Sequence, residues 1–371
     1  MSEYLSALAA IIWLMTALLP WQPWRIKEVL EADDEQGSVD LSDVTLVIPA
    51  RDEAPVIADT LQAIKLQGQG LRVILVDDES TDGTAEIALN QGLVNLDIIR
   101  SGSLPKDWTG KLWAQEQGLN AVKTPLILLL DADIHLMPGI LASLINKRNS
   151  ENLQFVSLMA MLKVDSFWEK MLMPAFIYFF KMLYPFALAN NPQSKIAAAA
   201  GGCILVDTAA LQAIGGMAAI KGAVIDDCSL AKKVKQAGYK TWVGLTHGVI
   251  SQRPYVSLTE IWDMVARTAY TQLLYSKSLL LVCTVIMTLM YVLPLMGLVC
   301  FSGNAWFFSL FSVVVMLRLY LPTLGFYALN RAWALSMPVI AGLYLLMTWT
   351  SAIRYWRGER SRRKGRIYQK G

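Results

Sequence analysis

The chain has 371 residues, of which 54% are hydrophobic and 17% charged. Soluble domains carry about 25% charged residues, so this composition excludes an ordinary soluble protein and points to a membrane. The formal net charge of +3 is too small to imply a nucleic-acid partner, and the basic residues are concentrated between Arg354 and Lys370, as in a membrane-surface anchor.

In chain order, Tyr4 to Trp24 is apolar and is followed at once by Arg25 and Lys27. It has neither a basic leader nor a small-residue cleavage site, so it reads as an anchor rather than a cleaved signal. Basic flanks stay in the cytoplasm, so residues 1–27 are expected to start outside and end inside. Glu28 to Asp43 reads as a polar linker.

From Val44 short apolar runs alternate with polar, helix-like stretches. The runs are Val44–Pro49, Arg72–Val76, Leu96–Ile99, Leu126–Leu130 and Phe155–Leu162. Such alternation predicts an α/β domain with a parallel sheet. Phe167 to Ala189 is bulky and aromatic, interrupted by Pro174 and Pro185. It is expected to be a helix lying in the membrane interface, with a buried core helix as the alternative. Ala197–Val206 reads as a buried strand, and Leu211 to Trp242 as helix and loop.

After Lys277 the chain is almost continuously apolar to Ile353. Leu279–Phe301 and Leu335–Ile353 are long enough to cross a bilayer, and so is Ala305–Leu329, since about 20 residues suffice. Arg318 and Pro322 interrupt the last of these. One N-terminal and three C-terminal crossings would leave the basic tail 354–371 outside, against its charge. Either Ala305–Leu329 is a broken hairpin that re-enters, or another segment does not span. Cys203, Cys228, Cys283 and Cys300 show no metal-ligand spacing and read as reduced thiols.

Four acidic clusters stand at the ends of predicted elements. They are PARDE at Pro49, Ala50, Arg51, Asp52 and Glu53; VDDESTDGT with Asp77, Asp78 and Asp82; Asp131-Ala132-Asp133; and IDDC with Asp226 and Asp227. In open α/β sheets ligands bind beyond the carboxyl ends of the strands, so the three strand-end clusters converge on one edge. Carboxylates alone would repel a nucleoside diphosphate. A hard divalent cation, Mg²⁺ or Mn²⁺, resolves the conflict, because such ions take one or two carboxylates plus substrate phosphates. On an extended segment Asp131 and Asp133 share one side and could clamp the metal together. Asp52 and Asp78 suit contacts to uracil and ribose. The competing reading of each cluster alone is a solvated strand end or a helix cap, and it weighs most for Asp82 and Asp226.

Taken together, these motifs resemble the family-2 inverting glycosyltransferases, whose nucleotide-sugar-binding domain has the GT-A fold. PARDE and VDDESTDGT are similar to the two nucleotide motifs, DAD to the metal-binding D-x-D, and IDDCSLAKKVKQAGY to the motif whose second acid is the general base. The resemblance covers Val44 to about Ser276. Within the family, SLPKDWTGKLWAQEQG, SQRPY and MVARTAYTQLLYS resemble the bacterial hopene-associated glycosyltransferases. The resemblance implies Asp227 as the base, Asp131 and Asp133 as the metal pair, and Lys111 as a group meeting a phosphate or the uracil ring. A solvated lysine is the alternative for Lys111.

Gly201, Gly202 and Cys203 resemble the loop that approaches the acceptor, where glycine permits close backbone approach; a tight turn between strands is the alternative. Arg267 and Gln272 lie where processive relatives carry Q-x-x-R-W, but that string is absent, which argues for a single sugar transfer. His135 reads as a loop residue, and His247 as a further candidate for holding the nucleotide.

The expected protein is a bacterial inner-membrane enzyme with a cytoplasmic catalytic domain at 44–276, a membrane region at 277–353 and a nucleotide-sugar donor, expected as a UDP-sugar; the resemblance implies a hopanoid or another bacterial lipid as acceptor. Two other classes compete. A membrane nucleotidyltransferase would need a glycine-rich basic loop where Ala50 to Glu53 is acidic. A silent scaffold would have lost the D-x-D or the base.

Overall fold

The structure, a computed structural model, describes residues 1–33, 39–363 and 366–369. The chain forms two compact units. One comprises Glu28–Lys163 and Phe186–Arg253; the other comprises Met1–Lys27, Val164–Pro185 and everything from Pro254 onward.

The first unit is built on an eight-stranded sheet in the order β3-β2-β1-β4-β7-β6-β8-β5. Its strands are β1 (Val44–Ala50), β2 (Arg72–Asp77), β3 (Leu96–Arg100), β4 (Leu126–Leu130), β5 (Ile134–Leu136), β6 (Phe155–Met161), β7 (Cys203–Asp207) and β8 (Thr241–Ser251). Alternate side chains feed two cores. Leu46, Ile48, Val73, Leu75, Leu128 and Leu130 pack on one face. Val47, Ile74, Val76, Ile127 and Leu129 pack on the other. Burial on both faces is why these strands read as continuous apolar runs rather than alternating ones.

The sheet is mixed, which corrects the expectation of a parallel one. β1, β2, β3 and β4 are parallel, but β7 runs antiparallel to β4 and β6, and β5 antiparallel to β8. The reason is the route of the chain. Cys203, the first residue of β7, pairs with Leu130, the last residue of β4, and with Leu158 midway along β6. The chain therefore re-enters the sheet at the edge it left after β6, and can only run back. The amino end of β7 thus opens on the same edge as the carboxyl ends of β1, β2 and β4.

The segment after Lys27 is no free linker where it is described. Leu30 donates its N–H to the Leu245 carbonyl, and Leu245 donates to Glu28, so the segment lies along β8. Residues 34–38 of the expected linker lie outside the described residues.

The second unit is helical. Lys277–Cys300, Asn304–Phe326 and Arg331–Trp356, of 24, 23 and 26 residues, are long and apolar enough to cross a membrane. The helix Ser2–Leu18 has 17 residues, fewer than the roughly 20 that a crossing takes. Asn304–Phe326 is one continuous helix with Pro322 inside it, not the broken hairpin entertained above.

The helix Phe167–Leu183 buries Met171, Leu172, Pro174, Ile177 and Tyr178 within this unit. Its Leu172 carbonyl accepts from the Tyr344 hydroxyl at 2.8 Å, and Tyr178 meets the Tyr320 ring edge-on at 5.4 Å. It is capped by a reciprocal Ser166–Glu169 box. Pro185 marks its end because proline disfavours helix in the residue before it.

The beginning of Lys277–Cys300 and the end of Arg331–Trp356 lie side by side. Lys277 stands over the Trp356 ring at 5.5 Å, Tyr275 stacks on Tyr355 at 4.2 Å, and Trp349 Nε1 donates to Thr284 at 3.0 Å. After Trp356 the backbone forms a hairpin of β9 (Glu359–Arg363) and β10 (Arg366–Gln369). Of the expected tail, residues 364, 365, 370 and 371 lie outside the described residues.

Candidate active site

β1 ends at Ala50 and the chain turns at once. Asp52 takes a left-handed φ of 50°, a conformation rare for non-glycine residues. A dense set of bonds holds it there. Its carboxylate accepts from the Thr81 N–H at 2.8 Å, and its own N–H donates to the Ser80 hydroxyl at 3.0 Å. Glu53 N–H donates to Thr84 Oγ1, and Ala54 N–H to Asp82 Oδ2, both at 2.9 Å. The loops after β1 and β2 are thereby stitched together. Asp82 is part of that stitching: burial pushes its carboxyl up, but bonds from Thr84 and Ala54 outweigh burial and hold it below the usual range.

Asp77 and Asp78 are both buried. Asp77 accepts from the Ser80 N–H at 3.2 Å. Asp78 accepts from the Ser101 hydroxyl at 3.1 Å and lies 3.9 Å from the Arg51 guanidinium. Arg51 Nη1 also donates to the Asp78 carbonyl at 2.8 Å. Arg51 Nε and Gln117 Nε2 are buried without a hydrogen-bond partner, a condition that costs free energy unless a ligand supplies acceptors.

Asp131 follows β4 directly. The expectation that Asp131 and Asp133 flank an extended residue is corrected: residues 131–133 form a turn, in which Ile134 N–H donates to the Asp131 carbonyl at 3.2 Å. The chain must reverse there to enter β5, so the two-residue alternation of a strand does not apply. The turn is pinned from outside. Thr60 Oγ1 donates to the Ala132 carbonyl at 2.8 Å, and Gln252 N–H to the Asp133 carbonyl at 2.8 Å. Sequence reasoning missed both residues. Gln252 stands in the SQRPY segment, which carried the resemblance but no assigned contact.

Lys111 sits in the first turn of the helix Gly110–Leu119, with its side chain only 10% exposed. Its ammonium lies 2.7 Å from Asp131 Oδ1 and 3.4 Å from Asp226 Oδ2. It is therefore not a solvated lysine. Beside it, Asp227 Oδ2 accepts from the Gly201 N–H at 2.9 Å and Oδ1 from the Cys228 N–H at 2.7 Å. Gly201 lets the backbone come close to both groups: a Cβ there would stand 3.1 Å from Lys111 Nζ and 3.5 Å from Asp227 Oδ2. Lys111, Gln115, Gly201, Met217, Asp226 and Asp227 line a small pocket.

Burial raises the Asp227 carboxyl from 3.8 to about 6, and the Asp226 charge adds to the rise. Lys111 and the two backbone N–H groups hold it partly down. A carboxylate near this value can take a proton at neutral pH and is basic enough to do so usefully.

The other candidates separate. Gly202 belongs to the site through its carbonyl, which accepts from the Asp131 N–H at 3.1 Å. Cys203 is a core residue of β7 instead: it is fully buried, and burial, with the Asp131 charge, pushes its thiol up to about 12. His247 is exposed on β8, where its Nδ1 meets Glu31 at 2.7 Å, and it fastens the 28–33 segment to the strand. His135 lies in β5 opposite Ile250. Arg267 ends the helix Leu258–Ala266 in the helical unit, where Gln272 accepts from the Tyr184 hydroxyl.

Among the described residues no three His, Cys, Asp or Glu side chains form a group that could hold a metal by themselves. The Asp131–Asp133 turn does offer two carboxylates with hard oxygen donors. That fits Mg²⁺ or Mn²⁺, which complete their shell with water and substrate phosphates.

Residues 45–215 match the family described as Glycosyl transferase family 2. That segment is similar to the family and makes up less than half of the chain. The matched span contains Asp52, Asp78, Lys111, Asp131 and Gly201 and ends before Asp226 and Asp227. Among curated relatives, 4,4'-diaponeurosporenoate glycosyltransferase of Staphylococcus haemolyticus is 28% identical over 110 residues, 29% of this chain and 28% of that protein. The enzyme of the same name from Staphylococcus aureus strain USA300 is 35% identical over 91 residues, 24% of each chain. The alignments thus span about a quarter of the length of these relatives.

Among solved structures, a mannosyltransferase of Pyrobaculum calidifontis, in complex with GDP-Man and Mn²⁺, superposes over 95% of this chain and 99% of its own, with a TM-score of 0.55 and 16% identity. That likeness shows the fold: the sheet unit is a GT-A, Rossmann-like domain.

Proposed function

We propose that this protein is a membrane-bound inverting glycosyltransferase that moves one sugar from a nucleotide-sugar donor to a lipid hydroxyl. The observation that carries the reading is Asp227, a carboxyl raised to about 6 and fixed by the Gly201 N–H beside the Lys111–Asp131 ion pair.

The acceptor oxygen attacks the anomeric carbon while Asp227 takes its proton. The carbon–oxygen bond to the diphosphate breaks, and the leaving group departs with the electron pair. Lys111 supplies a cation on the donor side, and Arg51 stands beside Asp78 in the loops that would hold the nucleotide. A divalent cation held by Asp131 and Asp133 would offset charge on the diphosphate. A base acting on the face opposite the leaving group inverts the anomeric centre.

The curated relatives act on a compound that is, by its name, a carboxylate. A carboxylate acceptor has no proton to surrender, so a carboxyl tuned to accept one favours a hydroxyl acceptor here. The apolar helices favour a lipid, and a hopanoid-type lipid follows from the resemblance of the motifs. Nucleotide sugars are made in the cytoplasm, so the sheet unit belongs on that side of a bacterial inner membrane.

The test is a donor screen. Purified full-length protein in detergent is offered UDP- and GDP-sugars with Mn²⁺ and a lipid alcohol, and nucleoside diphosphate is measured. Release with one donor, dependent on the alcohol, is expected. No release with any donor would overturn the reading.

A further inference from the structure

We propose that the end of the helical unit where Lys277 meets Trp356 is a docking surface for the headgroups of anionic phospholipids. Two apolar helices meet there in opposite directions. Lys277–Cys300 begins at this end and Arg331–Trp356 finishes at it, as the Lys277–Trp356, Tyr275–Tyr355 and Trp349–Thr284 contacts show.

If both helices cross the membrane, the chain crosses an even number of times between Lys277 and Trp356. Asn304–Phe326 then does not make a third crossing, despite its length, and Lys277 and the basic tail share one side.

That side has the composition of a membrane–water boundary. Trp262, Trp349, Tyr275, Tyr355 and Trp356 gather there, and Trp and Tyr are enriched where bilayer meets water. Trp262 Nε1 donates to Thr350 at 3.1 Å, and Trp356 is 44% exposed. Lys277 and Arg357 are exposed beside these rings. From Arg354 to Arg366 the chain carries seven basic residues against one acidic residue, Glu359. Beyond Trp356 the backbone of β9 pairs with that of β10, Arg363 opposite Arg366. Basic clusters directly beside a membrane helix bind anionic lipid, and the charge selects headgroups of net negative charge over zwitterionic ones, whose phosphate is balanced by a cation.

The experiment uses the full-length protein in nanodiscs of phosphatidylcholine alone or mixed with phosphatidylglycerol. Trypsin cleavage after Arg360 to Arg366 is followed by mass spectrometry. Anionic lipid should slow it, and raised salt should restore it. Each cation at an anionic surface contributes about a fivefold preference, so Lys277→Gln with Arg357→Gln should weaken protection roughly 25-fold within the same anionic discs. Lys277→Arg with Arg357→Lys should keep protection, which separates lost charge from lost folding. Equal cleavage in the two kinds of disc would overturn the proposal. So would equal protection by inorganic phosphate in phosphatidylcholine discs, which would mean a free-anion site.

Discussion

The Lys111 ammonium lies 2.7 Å from the Asp131 carboxylate, which puts a fixed cation among the acids at the sheet edge. The acids are therefore not uncompensated before any ligand arrives. Lys111→Met should leave Asp131 and Asp226 without their counter-ion and lower diphosphate release about 10²-fold. It should also cost about 1.5–3 kcal/mol of stability, as loss of a bond to a charged group does. Steady-state release and thermal unfolding together check this, and full turnover in the variant would contradict it.

Asp227 should set the acid limb of the pH–rate profile. A base must be unprotonated, so activity should rise as pH climbs through about 6. A profile flat from about pH 5 to 8 would contradict the role.

The same carboxyl makes a stability prediction of definite sign. Its folded value, about 6, exceeds the ordinary 3.8, so the folded protein holds the proton more tightly than the unfolded chain. The stabilising contribution is complete below about pH 4 and is lost as pH rises through about 6. Asp227→Asn, which cannot ionise, should therefore melt above the wild type at about pH 8, and that margin should vanish near pH 4. Calorimetry at the two pH values decides, and a margin of the opposite sign would sink the assignment.

Asp133→Ala should remove Mn²⁺ stimulation of donor binding while the fold persists. The turn is held through the Ala132 and Asp133 carbonyls by Thr60 and Gln252, so the loss of one side chain leaves those bonds in place. Nucleotide binding with and without Mn²⁺, measured by calorimetry, tests it. Unchanged metal dependence would remove Asp133 from the metal pair.

Membrane sidedness can be read with single cysteines in a variant lacking the native ones. Glu359→Cys should resist an impermeant thiol reagent in intact cells, and Ser302→Cys should react. Labelling of both sites in intact cells would mean that Asn304–Phe326 crosses after all, and labelling of the Glu359 site alone would mean that the unit is inverted.

Local chemistry alone was enough for the strands and for most of the acidic edge. Leu126–Leu130 is five apolar residues buried on both faces, and the Asp that follows marks the carboxyl end whatever the rest of the chain does. Asp78 and Asp131 could be singled out because charged groups after buried runs are rare, whereas Lys111 and the role of Asp227 came from the resemblance of the motifs. Strand direction was not legible, since β7 reads the same forwards or backwards; only its pairing with β4 and β6 shows the reversal that brings Gly201 to Asp227. The turn at 131–133, the Lys111 bridge to Asp226, and the burial that raises Asp227 join residues up to about a hundred positions apart. Hydropathy found three helices of membrane length, because length and apolarity are local. It could not say which end of one meets which end of another, and the contact of Lys277 with Trp356 decides that, since side-chain packing depends on distance in space and not on distance along the chain.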